Sequence, residues 1–342
     1  MKYGGIETML INIANEQVNH ADIYIICVND FYDQSLLDLL DGRVKLIKIG
    51  RPLGNKNPYY ILKLNYTIWK IRPNIIHSHA PSLSRYIVGF SRMNSLITIH
   101  AIPQKSHLDN IHYYKRLASI SHSVYNCLKE KGYDSTIIAN GIITQKFKKR
   151  TTVITTNNRA FRIIVIGRLS HKEKGQDLLI EACDILIKQN ICNILVDFIG
   201  AGESEEYLKN MVDNLCLNNY ITFIGPKSPL YIQKHLKDYD LFIQPSRIEG
   251  FGLTVAEAMA AKVPVLVSGQ EGPMEIIDNG KYGFYFQNEN VKQLADKIIE
   301  IMNMNSTELS SVTNDALDRV EKYYSVQRTA NEYISLYKSM IV

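Results

Sequence analysis

Two glutamates with seven residues between them form the most specific chemical pattern in the sequence. Glu249 and Glu257 lie in the string 245–260, PSRIEGFGLTVAEAMA, which follows an apolar strand predicted at 240–244. A helix is predicted to begin at about Leu253, so Glu257 lies one turn into it, where a carboxylate can accept two hydrogen bonds from ribose hydroxyls. Glu249 lies in the preceding loop, where it can hold a sugar hydroxyl or stabilise developing positive charge. The helix dipole alone favours a glutamate near an N-terminus, but that explains Glu257 and not the whole string.

The glycines of this string and a second string point to a phosphate ligand. Gly250 and Gly252 let the backbone approach a ligand closely, and the N–H groups at the start of the following helix suit a diphosphate. The second string, 166–177 (IGRLSHKEKGQD), also joins a strand end to a helix. Its Arg168 and Lys174 are predicted to converge on a diphosphate leaving group and to take the place of a metal ion. Single Arg and Lys side chains near a helix start are, however, usually only solvated.

Histidines and a glycine turn in the first half of the chain give weaker signals. His77 and His79 alternate along a predicted strand and so share one face, with His79 at the strand end. A metal site at these histidines is not expected. Gly5 completes a Gly-Gly turn before an amphipathic helix. This turn either brings its amides to phosphates from the other domain or is simply a turn.

Short β-branched runs alternate with amphipathic helical segments along the whole chain, which predicts parallel sheets with crossover helices. The predicted strands lie near 22–28, 44–49, 74–78, 95–100, 117–121, 135–139, 162–167, 194–199, 220–224, 240–244, 263–267 and 283–286. The fold class is therefore α/β, with two doubly wound, Rossmann-like domains. Ligands of such sheets bind outside the carboxyl ends of the strands, so two facing domains would enclose a cleft.

The domain boundary is predicted in the polar stretch 148–159, which shows no periodic pattern. The first domain is then 1–150 and the second is 160–325. The remaining residues, 326–342, are predicted to form a helix with an apolar stripe. That stripe packs either on its own domain or back on the first one.

Composition and charge limit the class of protein. The 342 residues are 46% hydrophobic and 21% charged, which is typical of a globular chain and excludes disordered and collagen-like classes. No apolar run reaches the ~18 residues of a membrane-spanning helix, and the N-terminus lacks a secretory-signal pattern, so a cytoplasmic protein is expected. The five cysteines are odd in number and widely spaced, which predicts reduced core residues rather than disulfides or zinc ligands.

The two halves of the chain differ in charge. Residues 1–150 contain 20 Lys and Arg against 10 Asp and Glu, whereas residues 151–342 contain 19 against 24. A basic half suits an anionic partner such as a phospholipid surface, a polyprenyl phosphate, an acidic saccharide or nucleic acid. An ordinary solvated surface is at least as good an interpretation.

Taken together, these motifs resemble the retaining family-4 glycosyltransferases of the GT-B fold, of the bacterial surface-polysaccharide type. The Glu-x7-Glu string is the specific part of the resemblance. It is supported along nearly the whole chain, in the family's order, by Gly4-Gly5-Ile-Glu, Ile97-Thr-Ile-His100, Ala139-Asn-Gly, Gly167-Arg-Leu, Gly200-Ala-Gly and Gly225. In that family the second domain binds a nucleotide-sugar and the first binds the acceptor.

The resemblance implies a role for each matching residue. Glu249 and His100, which matches the family's cleft histidine near the reacting sugar, are the implied catalytic residues, and His79 is an implied acceptor contact. The implied donor-binding residues are Gly5, Arg168, Lys174, Pro226, Lys227, Gly250, Phe251, Gly252, Leu253, Thr254 and Glu257. Of these, Arg168 and Lys174 would hold the diphosphate, and Glu257 the ribose. Pro226 and Lys227 would lie near the base. No cofactor and no metal ion is expected.

Three further motifs are interpreted as structural. Asp238-Tyr-Asp240 looks like the Asp-x-Asp metal site of the other glycosyltransferase fold, but Asp240 opens a predicted strand. Gly200-Ala-Gly lacks the third glycine of a dinucleotide fingerprint, so NAD is not expected. The basic run 146–150 is interpreted as a solvated linker, with a membrane or anionic-acceptor contact as the alternative.

The sequence departs from the family in its first element. The family has an apolar strand immediately before the glycine turn, and here the sequence begins at the turn. A true start codon upstream of Met1, or truncation, is therefore expected, together with an open strand position in the first sheet. Two smaller departures, Ile143 in place of Asp and one extra residue between Arg168 and Lys174, remove none of the proposed charges.

The predicted activity is retaining, metal-independent transfer of a hexose from a nucleoside diphosphate sugar, with a UDP-sugar favoured. The acceptor is expected to be a glycan or a lipid-linked saccharide in surface polysaccharide synthesis. A same-face displacement is favoured because no residue is placed as a covalent nucleophile. A GT-B nucleotide-sugar epimerase and an inactive sugar-nucleotide-binding relic are the alternatives. A peripheral contact of the basic first domain with the cytoplasmic face of the membrane is also expected, and nucleic acid is not expected as a partner.

Overall fold

The computed structural model describes residues 5–103, 108–151 and 159–341. The chain forms two compact units: the first is Met1–Ile142 with Tyr324–Val342, and the second is Ile143–Tyr323. The chain therefore passes from one unit to the other a few residues before the polar stretch in which the sequence places the boundary. Residues 152–158 of that stretch lie outside the described residues.

The first unit has parallel strands in two separate sheets. Its helices are α1 Gly5–Gln17, α2 Gln34–Leu37, α3 Pro58–Ile71, α4 His122–Glu130 and α13 Val326–Ile341, and its strands are β1 Tyr24–Asn29, β2 Lys45–Arg51, β3 Ile76–Ser78, β4 Ser95–Ile99, β5 Arg116–Ser119 and β6 Thr136–Ile137. Strand β1 pairs with β2, and β3 to β6 pair in chain order. In the described part of the unit no pairing joins the two sheets, which agrees with an open strand position.

The last helix, α13, belongs to the first unit, which decides between the two packing alternatives left by the sequence. It packs on α1, and its stripe residues Ala330, Tyr333 and Ile334 are buried. The Tyr333 hydroxyl also makes a 2.9 Å hydrogen bond with Thr98 Oγ1 on β4. The helix therefore closes the core of the first unit although it follows the second unit in sequence.

The second unit is one six-stranded parallel sheet with helices between its strands. Its strands are β7 Phe161–Ile166, β8 Ile194–Ile199, β9 Ile221–Phe223, β10 Leu241–Gln244, β11 Val265–Ser268 and β12 Phe284–Phe286, and its helices are α5 His171–Lys174, α6 Gln176–Lys188, α7 Glu205–Asn214, α8 Pro229–His235, α9 Leu253–Ala260, α10 Glu271–Ile276, α11 Val291–Met302 and α12 Ser306–Tyr323. The sheet order is β12-β11-β10-β7-β8-β9. The strand order thus reverses between β7 and β10, which is where doubly wound sheets bind ligands.

All twelve strands lie within two residues of their predicted bounds, and α9 begins at Leu253 as predicted. The agreement follows from the apolar runs, because the strands of a buried parallel sheet are nearly continuous in hydrophobicity. Every residue of β10 and β11 is buried. None of the described helices is long and apolar enough to span a membrane.

Two predictions about burial are confirmed only in part. Of the five cysteines, only Cys27 and Cys183 are buried, whereas Cys192 and Cys216 are exposed, so the cysteines are not all core residues. The basic run 146–150 is a solvated linker only in part: Lys146, Lys148 and Lys149 are exposed, whereas Phe147 is buried and the Arg150 side chain is only 10% exposed. A guanidinium at that depth needs a carboxylate partner, and Arg150 has one.

That partner is Asp240, immediately before β10, whose side chain is 1% exposed. It accepts hydrogen bonds from Arg150, from Arg159 at 2.6 Å and from the Arg162 amide at 2.8 Å. Burial by itself raises the pKa of Asp240, but the hydrogen bonds from Arg159 and Arg162 outweigh it, and the pKa lies below its usual value. Asp240 is thus a structural carboxylate that holds the start of β10 against β7.

Substitution of Asp240 by alanine should lower the free energy of unfolding by about 3–5 kcal/mol, because it leaves the buried Arg150 guanidinium uncompensated. Asp238→Ala is the matched control, since Asp238 is 39% exposed and pairs at the surface with His235, and its loss should cost at most about 1 kcal/mol. Urea unfolding of both variants measures the difference. Equal, small losses would show that Asp240 does not anchor β10.

Candidate functional site

Two loops meet at the switch point of the second unit. One follows β7 and leads into α5 and α6, and the other follows β10 and leads into α9. Gly175, between α5 and α6, has φ +63°, and a Cβ atom there would lie 2.0 Å from the carbonyl oxygen of Pro245. The Arg247 and Ile248 amides donate to Glu173 O at 2.8 and 3.1 Å. The loops that carry the two predicted strings are therefore in backbone contact, and only glycine fits at position 175.

Lys174 and Glu249, one from each string, form an ion pair across this contact. Lys174 Nζ lies 2.7 Å from Glu249 Oε2, and the two side chains are 24% and 19% exposed. Gln244, the last residue of β10, donates to the same oxygen through Nε2 at 2.6 Å. Lys174, predicted to bind the diphosphate, and Glu249, predicted to bind the sugar, are thus in direct contact and largely buried.

Arg168 lies on the other side of the first loop. Its guanidinium is 54% exposed and pairs with Glu173, while its carbonyl oxygen accepts a 2.7 Å hydrogen bond from Gln176 Nε2. The backbone of Arg168 is therefore tied down and its side chain reaches solvent. An anion at this loop would compete with Glu173 for the guanidinium.

The start of α9 provides unpaired amides next to these charges. Gly252 caps the helix with φ +98°, and it has no side chain to occupy the first turn. Within the described residues, the N–H groups of Leu253 and Thr254 donate no hydrogen bond. Phe251 is buried and anchors the loop, and the Thr254 hydroxyl donates to Gln244 Oε1 at 3.4 Å. This arrangement is suited to an anionic ligand.

Glu257 lies one turn into α9, as predicted, and is only partly accessible. Burial raises the pKa of its carboxyl group to about 7. Among the described residues, the Glu257 carboxyl group makes no hydrogen bond or ion pair, whereas its backbone carbonyl accepts from the Ala261 amide at 3.0 Å. Such a carboxyl group is suited to accept hydrogen bonds from the hydroxyl groups of a ligand. Those hydrogen bonds would favour the ionised form of Glu257.

Arg247 is a site residue to which the sequence analysis assigned no role. Its guanidinium makes a bidentate pair with Asp177 at 2.8 and 2.9 Å, and it also donates to Glu289 at 2.8 Å and to His171 O at 2.7 Å. The hydrogen bond with Asp177 is the largest cause of a raised pKa at Arg247. Arg247 thus ties the Glu249 loop to α5 and α6. Both partners were visible in the sequence, since Arg247 lies in the string 245–260 and Asp177 in the string 166–177.

Pro226 and Lys227 lie in the loop after β9, the edge strand of the sheet, and both are exposed. Lys227 Nζ lies 5.5 Å from the Tyr231 ring centroid. The predicted place of Pro226 and Lys227 near a nucleotide base stays a prediction.

The first unit contains the predicted histidines as a connected cluster. The rings of His77 and His79 lie 4.3 Å apart, as expected for residues that share a strand face, and His79 Nδ1 lies 2.8 Å from His100 Nε2. Burial lowers the pKa of His77 to about 3 and of His100 to about 4, and it lowers the pKa of His79 well below its usual value. All three imidazoles are therefore neutral at pH 7.

Residues of α13 and β4 hold the His77 ring in place. His77 makes hydrogen bonds of 2.7 Å with the Tyr337 hydroxyl and 2.8 Å with Thr98 Oγ1. His100 Nδ1 is buried and has no partner among the described residues. The predicted residue Gly5 is the exposed first residue of α1, and its neighbour Gly4 lies outside the described residues.

Comparison with solved structures identifies the fold. The structure of HepE from Anabaena, solved in complex with UDP-glucose, superimposes with a TM-score of 0.82 at 20% sequence identity, and the match covers 98% of this chain and 96% of that one. Two Rossmann-like α/β units with this likeness define the GT-B fold.

Comparison with sequence families identifies the protein's relatives. Residues 146–316, half of the chain, match the family described as "Glycosyl transferases group 1". The chain therefore belongs to this family. A poly(ribitol-phosphate) alpha-N-acetylglucosaminyltransferase of Staphylococcus aureus is 27% identical over 178 residues, which are 51% of this chain and 35% of the relative. The capsular polysaccharide biosynthesis glycosyltransferase CapM of the same species is 27% identical over 215 residues, 59% of this chain and 54% of CapM. The chain thus spans about a third to a half of the length of these curated relatives.

Replacing Arg247 by alanine should destabilise the second unit by about 2–4 kcal/mol, because the Asp177 side chain is only 10% exposed and would lose its bidentate partner. The double variant Arg247→Ala/Asp177→Ala should cost less than the sum of the two single variants. Lys188→Ala, which removes a surface pair with Asp184 in the same unit, is the control and should cost about 0.5 kcal/mol. Additive losses in urea unfolding would contradict a direct Arg247–Asp177 coupling.

The raised pKa of Glu257 predicts a pH-dependent stability. Between the ordinary pKa of about 4.5 and the folded-state pKa of about 7, the folded chain binds more protons than the unfolded chain, so stability falls as the pH rises through this window. Glu257→Gln should come close to the wild type at about pH 4, below the unfolded-state pKa, and exceed its free energy of unfolding by up to about 3 kcal/mol at pH 8. Urea unfolding at both pH values tests this, and parallel pH profiles would contradict it.

Proposed function

We propose that this protein is a retaining, metal-independent glycosyltransferase that moves a hexose from a nucleoside diphosphate sugar, with a UDP-sugar favoured, to a hydroxyl group of a glycan or lipid-linked acceptor. The observation that carries the proposal is the Lys174–Glu249 pair beside the start of α9, which no side chain caps, at the switch point of a doubly wound sheet. Family membership and the UDP-glucose bound by HepE support the donor class.

The donor would occupy the second unit. The diphosphate would lie against the amides of Gly250 to Thr254, with Arg168 and Lys174 as counter-charges, and Glu257 would accept hydrogen bonds from the ribose hydroxyls. Lys174 would exchange Glu249 for the diphosphate, which would leave the Glu249 carboxylate to hold the transferred sugar or to stabilise its positive charge. Arg247 and Gln244 act as positioning residues, because they hold the Glu249 loop in place.

The leaving diphosphate carries the charge that develops in the transition state. Arg168, Lys174 and the first amides of α9 would stabilise that charge, so the site supplies in protein groups what a metal ion supplies elsewhere. A same-face displacement fits this arrangement, since the leaving diphosphate can itself receive the proton of the acceptor hydroxyl. This is the basis for proposing retention without a resident cofactor.

The acceptor would bind the first unit. The neutral imidazoles of His79 and His100 can donate or accept hydrogen bonds to sugar hydroxyls without adding charge. CapM is named for capsular polysaccharide biosynthesis and the other S. aureus relative for transfer involving poly(ribitol-phosphate), which supports a glycan or lipid-linked acceptor in polysaccharide synthesis. A cytoplasmic location with peripheral membrane contact through the basic first half accompanies this proposal.

A thermal-shift screen of UDP-, GDP- and ADP-sugars tests the donor site, because a ligand bound only to the folded state raises the unfolding midpoint. One class of nucleotide, with UDP-sugars expected, should raise the midpoint by several degrees at a concentration of about 100 Kd. Glu257→Ala should abolish the shift, and Glu300→Ala, a surface glutamate of the same unit that is 51% exposed, should retain it.

No shift with any nucleotide-sugar would refute the proposed donor site. Where a donor binds, product analysis with and without an added glycan separates transfer from epimerisation of the donor. Formation of an epimer without acceptor would replace the transferase by an epimerase. Binding with neither product would leave a sugar-nucleotide-binding relic and would also refute the proposal.

A further inference from the structure

Helix α3 of the first unit exposes an apolar stripe. Tyr59, Leu62, Tyr66 and Trp69 are 58%, 68%, 61% and 63% exposed. Their spacing of three, four and three residues places them on one face of the helix, over a length of about 15 Å. Single exposed apolar residues are ordinary, but a contiguous stripe of four large ones indicates an interaction surface.

The stripe is distinct from the face by which α3 packs on its own unit. That inner face carries Leu64 and Ile68, which are 2% and 5% exposed. The helix is also well anchored, since the Asn57 side chain caps its start by accepting from the Tyr59 amide, and the helix ends at Arg72 in a left-handed conformation. The outer stripe is therefore a fixed feature of a stable helix.

The surface extends beyond the helix. Asn65 on α3 donates to Tyr86 O at 2.7 Å and accepts from the Val88 amide at 2.7 Å. These bonds hold Val88, which is 78% exposed, beside the helix. A further exposed apolar side chain, that of Val88, is thus held next to α3.

The segment of the chain that contains the stripe carries charge of one sign. From Gly42 to Leu108 the sequence contains eleven Lys and Arg and no Asp or Glu. Lys56 precedes the helix and Lys70 lies in its last turn, and both are exposed. The Arg72 guanidinium lies 5.8 Å from the Trp69 ring centroid. An apolar face with cations at both ends is complementary to an anionic surface that also accepts apolar groups.

We propose that the α3 stripe, with Tyr59, Leu62, Tyr66 and Trp69, docks this protein on an anionic phospholipid surface. Tyr and Trp suit the headgroup boundary because each combines an apolar ring with a polar group. The apolar stripe and the lysines supply the two signals that stable peripheral binding requires. This docking surface deepens the proposed function. It rests on that function only for the biological reason for membrane docking, which is access to a lipid-linked acceptor.

A second copy of the chain is a poorer occupant for this surface. A symmetric dimer through α3 would place the same patch of both copies face to face. The acid-free, basic segments of both copies would then lie opposite one another, and like charges oppose such an interface. An anionic bilayer has the opposite sign.

The single tryptophan of the chain makes the experiment direct, because Trp69 lies in the stripe and its fluorescence reports on that position alone. The full chain is titrated with vesicles of phosphatidylcholine containing 30% phosphatidylglycerol, and in parallel with pure phosphatidylcholine. We expect a blue shift and protection from acrylamide quenching with the anionic vesicles, weakened by salt. Flotation with the same vesicles measures the partition coefficient.

Three variants test whether the α3 stripe and its flanking lysines contact the membrane. Leu62→Ser/Tyr66→Ser, which keeps the Trp69 reporter, should weaken partitioning at least ~10-fold because two apolar anchors are lost. Lys56→Gln/Lys70→Gln should weaken it about fivefold for each lysine, and only with anionic vesicles. Leu230→Ser is the matched control, since Leu230 is a 73% exposed apolar residue of the second unit, and its partitioning should equal that of the wild type.

Absence of a blue shift and of flotation with anionic vesicles would overturn the proposal, as would equal binding of the Leu62→Ser/Tyr66→Ser variant. A concentration-dependent dimer in analytical ultracentrifugation that this double variant abolishes would assign the stripe to a second copy instead. The nucleotide-sugar thermal shift is measured on the same variants without lipid. A protein that binds donor but not vesicles refutes the docking surface alone, and one that binds vesicles but no donor refutes the proposed function alone.

Discussion

The close approach of two loops at the carboxyl ends of β7 and β10 is the constraint on which the candidate site depends. Gly175 makes this approach sterically feasible, because any side chain there would collide with the carbonyl oxygen of Pro245. The bidentate Arg247–Asp177 pair then fastens the loops to each other. Lys174 and Glu249 meet as a consequence, although 74 residues separate them in the chain.

The cations at this contact are balanced by carboxylates of the chain itself. Glu249 neutralises Lys174, Glu173 neutralises Arg168, and burial holds the pKa of Glu257 near 7. A bound diphosphate would take over both cations, and ligand hydroxyls would favour ionisation of Glu257. The ion pairs avoid the cost of uncompensated buried charge, and under the proposed function an anionic ligand would displace them.

In the first unit, His77, His79 and His100 lie close together and carry no positive charge at pH 7. Burial lowers their pKa values, and the hydroxyls of Tyr337 and Thr98 satisfy His77. Tyr337 belongs to α13, which returns from the far end of the chain to complete this unit. The acceptor chemistry proposed for His79 and His100 thus depends on the last helix as well as on strands β3 and β4.

The sequence by itself determined the strands, the start of α9 and the family, because apolar periodicity, glycines and the Glu-x7-Glu spacing are local properties of the chain. It also placed Arg168 and Lys174 in the segment that follows β7, and Glu249 and Glu257 in the segment that follows β10. Only the tertiary structure decided which of these side chains meet: Lys174 pairs with Glu249, whereas Arg168 pairs with Glu173. The same holds for the role of Arg247 and the burial of Arg150, since each depends on a carboxylate far away in sequence. Long-range pairing of this kind is set by strand order and burial, which a single sequence does not display.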